Sequence, residues 1–319
     1  MRDQGRISLP SASGTATLGS PSKRIPDSDP MKGAPMCVAI ALGMGLLAGS
    51  LQAAPDVKHV FLAVDNGKGE LRYVNQPDPS KNWTVKTAAK PRDLRLSEDG
   101  KRVLLSVNDG AIEYEITTGK ETGFKISGHT GIQSAQKLED GNYLLATGGS
   151  IILCDKNGRA LRKIPTVKGG SRPYIRLLTV TKDNTILYSA ANPKSVIEID
   201  FEGRLLKQIK LPQTGYKAIK LENGNILSST GDTGAVLELN DRNQIVRTLG
   251  GVKNFPELAL TFCSGWSRLK NGNVVATSWH GHGYKGKGPH LIAYTPDNRV
   301  VWTWSHAEVK QITNVLVIE

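Results

Sequence analysis

The chain has 319 residues, 41 Lys and Arg against 29 Asp and Glu, a net charge of +12 and only three cysteines. So few cysteines exclude a disulfide scaffold, and no Lys/Arg block resembles a nucleic-acid-binding arm. The basic balance favours anionic partners: acidic polysaccharide, sulfated or carboxylated small molecules, or a membrane surface.

Residues 1–30 are rich in Ser, Pro and charge, without period, and read as a disordered extension ahead of a true start at Met31. Residues 31–54 read as a signal peptide: Met31-Lys32, an apolar run over 36–51, then Gln52-Ala53-Ala54. Ser50 stands where a lipoprotein would carry its acylated cysteine, and the run is short and Gly-rich for a spanning helix. Cleavage after Ala53 or Ala54 predicts a periplasmic or extracellular protein, residues 55–319, with a net charge of about +10, no stable membrane insertion and a monomeric state. Secretion argues against nucleic acid as a target.

Residues 55–319 read as a single all-β domain. Three strands are predicted at 59–64, 70–74 and 83–86. After them the sequence repeats. Tight turns recur at Asp99-Gly100, Asp140-Gly141, Asp183-Asn184, Asn223-Gly224 and Asn271-Gly272, at spacings of about 41, 43, 40 and 48 residues. That is the period of four-stranded propeller blades. Acidic or amide residues before glycine suggest two-residue type I′ hairpins, whose central positions both need positive φ.

A second turn follows each first one, at Thr118-Gly119, Asn157-Gly158, Glu202-Gly203, Arg242-Asn243 and Asp297-Asn298. Each unit therefore holds four antiparallel strands, a to d from the inside outward. One such unit buries too little apolar surface to stand alone, so the units stack radially. The first unit lacks an inner strand and the C-terminus ends in an unpaired one, 312–318. A last strand that completes the first blade gives a six-bladed β-propeller of four-stranded antiparallel blades, with seven blades as the alternative.

In this register the a–b and c–d turns share one face of the disc. The b–c and d–a loops share the other, where binding residues belong. The sixth blade departs from the repeat, its two turns lying about 26 residues apart instead of 17–19. The excess falls in residues 278–290, which hold three of the six histidines. Three readings of this loop stay open. His280, His282 and His290 suit a Zn²⁺ or Cu²⁺ site, although no Cys, Asp or Glu accompanies them nearby. Trp279 and Tyr284 suit stacking on a sugar or anion, with Lys285 and Lys287 as donors. The histidines also suit a structural loop, bonded to neighbouring carbonyls.

The starts of the inner strands add Arg92, His129, Gln133, Arg172, Tyr174, Tyr216, Lys217, Trp266, Gln311 and Asn314, a polar, partly cationic funnel. Cys154 and Cys263 belong to distant blades and read as buried apolar residues. No nucleophile–base pair, paired carboxylate or phosphate loop stands out by spacing, and the sequence implies no particular cofactor.

The repeats "LEDGNYLLA", "LENGNILSS" and "LKNGNVVAT", with "VIEIDFEGRLLKQI" and "LIAYTPDNRVVWTWS", resemble bacterial secreted propellers of the arylsulfotransferase-like and quinoprotein-like (PQQ-repeat-like) kind. The resemblance covers nearly all of 57–319, and its motifs specify the blade rather than the chemistry. It implies a six-bladed ring whose channel is lined by histidines and an arginine, roles to which only His129 and Arg172 correspond. At the start of the sixth inner strand, Cys263-Ser264-Gly265-Trp266 offers no histidine for a sulfo-histidine intermediate. Six blades are also fewer than the usual eight of quinone-dependent dehydrogenases. The expected function is a secreted or periplasmic propeller that binds a small or carbohydrate-like, anionic ligand at its channel mouth. A propeller enzyme (sulfotransferase-like, lactonase or lyase) using channel histidines is the alternative, and a protein-interaction scaffold the third reading.

Overall fold

A computed structural model describes residues 57–167 and 174–318. The extension and signal segment, and Arg172 among the candidate site residues, lie outside the described residues.

Among the described residues, twenty-four strands form six four-stranded antiparallel sheets arranged as a six-bladed propeller. Blade 1 holds β1 (Val60–Asp65), β2 (Glu70–Asn75) and β3 (Trp83–Lys86). Blade 2 holds β4 (Pro91–Leu96), β5 (Arg102–Val107), β6 (Gly110–Glu115) and β7 (Glu121–Ile126). Blade 3 holds β8 (Ile132–Lys137), β9 (Tyr143–Thr147), β10 (Ile151–Cys154) and β11 (Ala160–Ile164). Blade 4 holds β12 (Ile175–Val180), β13 (Ile186–Ala190), β14 (Ser195–Ile199) and β15 (Leu205–Lys210). Blade 5 holds β16 (Ala218–Lys220), β17 (Ile226–Ser229), β18 (Ala235–Leu239) and β19 (Ile245–Gly250). Blade 6 holds β20 (Trp266–Arg268), β21 (Val274–Thr277), β22 (Leu291–Tyr294) and β23 (Val300–Trp304). The last strand, β24 (Ile312–Ile318), pairs with β1 in the register Val60↔Ile318 to Val64↔Asn314 and supplies the missing inner strand of blade 1.

Alternation along each strand sends successive side chains to the two neighbouring blades. In β1, Phe61 and Ala63 pack with Val275, Leu291 and Trp302 of blade 6, while Leu62 and Val64 pack with Leu94, Val103 and Leu105 of blade 2. Both faces are covered, so the middle strands read as continuous apolar runs instead of alternating ones. Cys154 and Cys263 are free and buried within this packing, and burial pushes their thiols up to about 11 and about 12. Neither is a thiolate at neutral pH.

The hairpins differ from the type I′ expectation. Only the last residue of each turn has positive φ: Gly100, Gly141, Asn184, Gly224 and Gly272 lie between 54° and 85°. Each donates its N–H three residues back, as Gly141 does to Leu138 at 3.0 Å. These are three-residue loops, a type I turn followed by a left-handed residue. At four of the five turns the acidic or amide residue has another task, since its side-chain oxygen accepts the N–H two residues on, while at Asp183 the Thr181 hydroxyl takes the Thr185 N–H instead. Asp140 so holds Asn142 at 2.9 Å, and Asn271 holds Asn273 at 3.0 Å.

Candidate functional site

Arg92, Gln133, Arg176 and Tyr216 each stand eight residues before the left-handed residue of their a–b turn, at the loop-face end of an inner strand. In blades 2, 3 and 4 the pairing slips at this point, between Pro91 and Leu94, Ile132 and Ser134, and Ile175 and Leu178. A bulge re-aims the side chains beside it and releases them from strict alternation. Consecutive residues can therefore serve the channel: Arg92 at the mouth and Asp93 one layer down.

The lower layer closes the channel. Asp93 is 0% exposed and accepts from Asn314 Nδ2 at 2.8 Å, from its neighbour Leu94 N–H at 2.9 Å and from the Ser134 hydroxyl. Its ion pair with Arg95 spans 3.0 Å, and Arg95 also donates to the Leu178 carbonyl. Lys217 donates to the Trp266 carbonyl at 2.6 Å and lies 5.4 Å from the centre of that residue's ring. Desolvation pulls the Lys217 ammonium down to about 8, opposed by the charge of Asp93 and assisted by that of Arg95. Lys217 is half-buried. Trp266 is buried, its indole N–H 3.3 Å from the Lys217 carbonyl. Trp266, Lys217 and Asn314 thus form the plug beneath the mouth.

At the mouth, the guanidinium carbon of Arg176 lies 4.5 Å from the centre of the Tyr174 ring and 5.2 Å from that of Tyr216. Burial raises the Tyr216 phenol, and the positive charges of Arg176 and Arg92 oppose the rise. The Nε atoms of both arginines are buried without a hydrogen-bond partner, and among the described residues neither arginine forms an ion pair. Lys90 adds a third positive charge, its ammonium lowered by burial and by Arg92. Gln133 is buried, with its amide directed at the Gly131 carbonyl, 3.3 Å away.

The aromatic side of the mouth continues into the sixth blade's long loop. Tyr216 meets Phe262 edge-on at 6.1 Å, and Phe262 meets Trp279 at 5.8 Å and His282 at 5.3 Å. His282 Nδ1 lies 3.1 Å from Asp232 Oδ1, on the b–c loop of blade 5, with both side chains 60% exposed.

The three loop histidines separate. His280 and His290 turn away from His282 towards blade 1. There His280 stacks on Tyr284 at 3.8 Å and lies 4.1 Å from the His290 ring, which leads on to Trp304 at 6.0 Å. These rings border an open cleft of about 530 Å³ with His306 and Lys310. His280 Nε2 faces the Pro289 carbonyl at 3.0 Å, while its own carbonyl accepts from Gln311 Nε2 at 3.2 Å. Burial lowers the pKa of both histidines, that of His290 to about 4. Stacked rings do not converge their lone pairs, and among the described residues no group of three or more His, Cys, Asp or Glu is placed to hold a metal. His129 also lies apart, its ring nitrogen 2.8 Å from the carbonyl of Gly158 in a c–d turn.

Of the residues singled out from sequence, the structure gathers Arg92, Tyr174 and Tyr216 at the mouth, with Trp279 and His282 along the same aromatic chain. Sequence reading missed Arg176, Phe262 and Asp93, whereas Asp232 falls on a b–c loop of the face where binding residues were expected. Counting back from the a–b turn would have found Arg176 and Asp93; nothing local to Phe262 marks it. A cleft of about 800 Å³ lies on the turn face between blades 3 and 4. It mixes Glu139 and Asp140 with Lys137 and Lys182, interblade surface without the mouth's unpaired guanidinium groups.

No family model matches this sequence, and no curated protein matches it. Solved structures do. A protein of unknown function from Bacteroides caccae is 25% identical, with 82% of this chain and 99% of that one covered and a TM-score of 0.69. A catalytically inactive histidine-to-alanine form of virginiamycin B lyase from Staphylococcus aureus, crystallised with quinupristin, gives a TM-score of 0.55 at 12% identity over 80% of this chain and 87% of its own. A streptogramin B lyase gives 0.57 at 13% identity, over 82% and 87%. At such identities the lyases attest the propeller fold alone.

Proposed function

We propose that this protein is a secreted or periplasmic propeller that binds a small-molecule or carbohydrate-like anion at the loop-face mouth of its channel. One observation carries the reading: Arg92 and Arg176 present two guanidinium groups at the mouth with no carboxylate paired to either among the described residues. A partly buried cation without a counter-ion costs folding free energy, a cost that an arriving anion offsets. The flanking tyrosines hold the Arg176 group in place before the ligand arrives, which lowers the cost of ordering it. The plug of Trp266, Lys217 and Asn314, tied to the Asp93–Arg95 pair, supports a seat at the mouth rather than a passage.

Titration calorimetry of the purified protein against inorganic sulfate, small carboxylates and acidic sugars tests the binding. An anion is expected to bind with an affinity that falls at least tenfold in Arg176→Gln and Arg92→Gln. Wild-type affinity in both variants sinks the assignment. Fractionation of cells expressing the full chain, with N-terminal sequencing of the product, tests the location. A product beginning at Ala54 or Pro55 outside the cytoplasm is expected, and an uncleaved cytoplasmic chain refutes secretion.

A further inference from the structure

We infer that the anion is an acidic oligosaccharide, with a uronate carboxylate on the arginine pair and the hydroxyls of a neighbouring sugar on His282 and Asp232. The inference rests on the mouth being an anion seat and adds what the rest of the mouth reads.

Tyrosine rings lie near the Arg176 guanidinium carbon at 4.5 and 5.2 Å, so its approachable part is the in-plane edge of N–H groups. An edge of this shape matches a planar, two-oxygen acceptor better than a lone spherical charge. Arg92, beside the Tyr216 hydroxyl, supplies the second cation. A carboxylate is the group that fits this pair.

At the far end of the aromatic chain stand His282 and Asp232. In the neutral tautomer whose Nδ1–H donates to Asp232 Oδ1, 3.1 Å away, His282 Nε2 and the other carboxylate oxygen of Asp232 are both acceptors. Two acceptors at one end of the mouth suit a ligand with donors, which adjacent hydroxyls provide. An arene carboxylate has none, and would cover the Asp232 carboxylate without a hydrogen bond, at a cost of desolvation.

Distance joins the two ends. From the Arg176 guanidinium, contacts of 5.2, 6.1 and 5.3 Å run through Tyr216 and Phe262 to His282. These contacts set an upper limit on the separation of the two ends that leaves room for more than one sugar ring, and the occupant we infer is an oligomer. Tyr174, 39% exposed, and the half-buried Trp279 supply ring surface beside the path, suited to the apolar faces of sugar rings. The chain's net positive charge draws polyanions towards the disc.

The test is calorimetry of the purified protein against trimeric galacturonate, trimeric mannuronate and glucuronate-containing chains, with neutral galactose trimers, benzoate and sulfate as comparisons. At least one oligouronate is expected to bind at least tenfold more tightly than every comparison. Its affinity should fall at least tenfold in Arg176→Lys, which keeps the charge but loses the planar fork, and severalfold in Asp232→Asn and His282→Ala. Circular dichroism and melting curves of each variant confirm folding. Benzoate or sulfate binding as tightly as the uronates, or unchanged affinity in Asp232→Asn and His282→Ala, overturns the saccharide inference and leaves the anion seat standing. Failure of every anion to bind overturns both.

Discussion

Asn314, on the last strand, donates a 2.8 Å hydrogen bond to Asp93, on the inner strand of blade 2, across 221 residues of sequence. It ties the strand that closes the ring to the buried carboxylate at the channel's centre. Removing it in Asn314→Ala leaves one oxygen of a fully buried charge short of a donor, which costs about 1–3 kcal/mol and more where the acceptor is charged. We expect urea denaturation to show a loss of at least 2 kcal/mol with an unchanged slope. A loss under 0.5 kcal/mol would mean that water replaces the amide freely, and that the plug is looser than its geometry shows.

Closure also depends on how closely blade 6 approaches the final strand. A Cβ at Gly265 would stand 2.3 Å from Asn314 Oδ1, 2.5 Å from Asn314 Cα and 2.7 Å from the Thr313 carbonyl. Two of those atoms are backbone and cannot swing aside, so Gly265→Ala must push β24 away from blade 6. A melting temperature lower by several degrees is expected. Gly149→Ala is the control, because nothing lies within 4 Å of its added Cβ and its φ is unexceptional. Equal melting temperatures for the two variants would refute the close approach.

The ring was legible in the sequence because each blade repeats its turn chemistry, and because 312–318 lacked a partner until it was set against 59–64. Turn type was misread. Asp140 and Gly141 have the composition of a type I′ pair, yet the aspartate is there to hold the Asn142 N–H and only Gly141 needs positive φ. The site was legible only in part. Bulges at the inner-strand starts bring Arg176 to the mouth, and the signal that marks it is not a local motif but its place eight residues before the left-handed residue of its a–b turn. The histidines illustrate the converse limit. Strand-like alternation placed His280 and His282 on one side, but a loop with Gly281 and Gly283 beside them need not alternate. Gly281 lies so close to the Trp279 ring that an added Cβ would meet it at 1.9 Å.

Lys217 gives the channel plug a pH signature. Its ammonium is held at about 8 in the fold against 10.5 for the free side chain, desolvation being the main cause. Between those values the unfolded chain binds a proton that the folded one has released, so this group makes stability rise with pH. Lys217→Met removes the term. Urea midpoints followed from pH 7.5 to 9.5 should rise for the native protein relative to the variant, by a total approaching 2 kcal/mol. Parallel curves would show that Lys217 is hydrated enough to keep its ordinary affinity for protons.

His290 acts on the acid side with the same sign of slope. Burial chiefly, and the charge of His280 next, hold its imidazolium down at about 4 against 6.5 for the free side chain. Above 6.5 the ring is neutral in both states and costs nothing. As pH falls from 6.5 towards 4 the unfolded chain takes up the proton first, and about 3 kcal/mol of stability is lost across that window. His290→Phe keeps a flat ring between His280 and Trp304 but cannot titrate. Its stability should therefore fall less steeply between pH 6.5 and 4 than that of the native protein, whatever its value at neutral pH. Thermal midpoints across that range decide the matter: identical slopes would mean that the ring opens to water and protonates in place. Carboxylates held below their ordinary pKa, such as Asp99 at about 2, lose their own contribution mainly below pH 4, outside the window in which His290 acts.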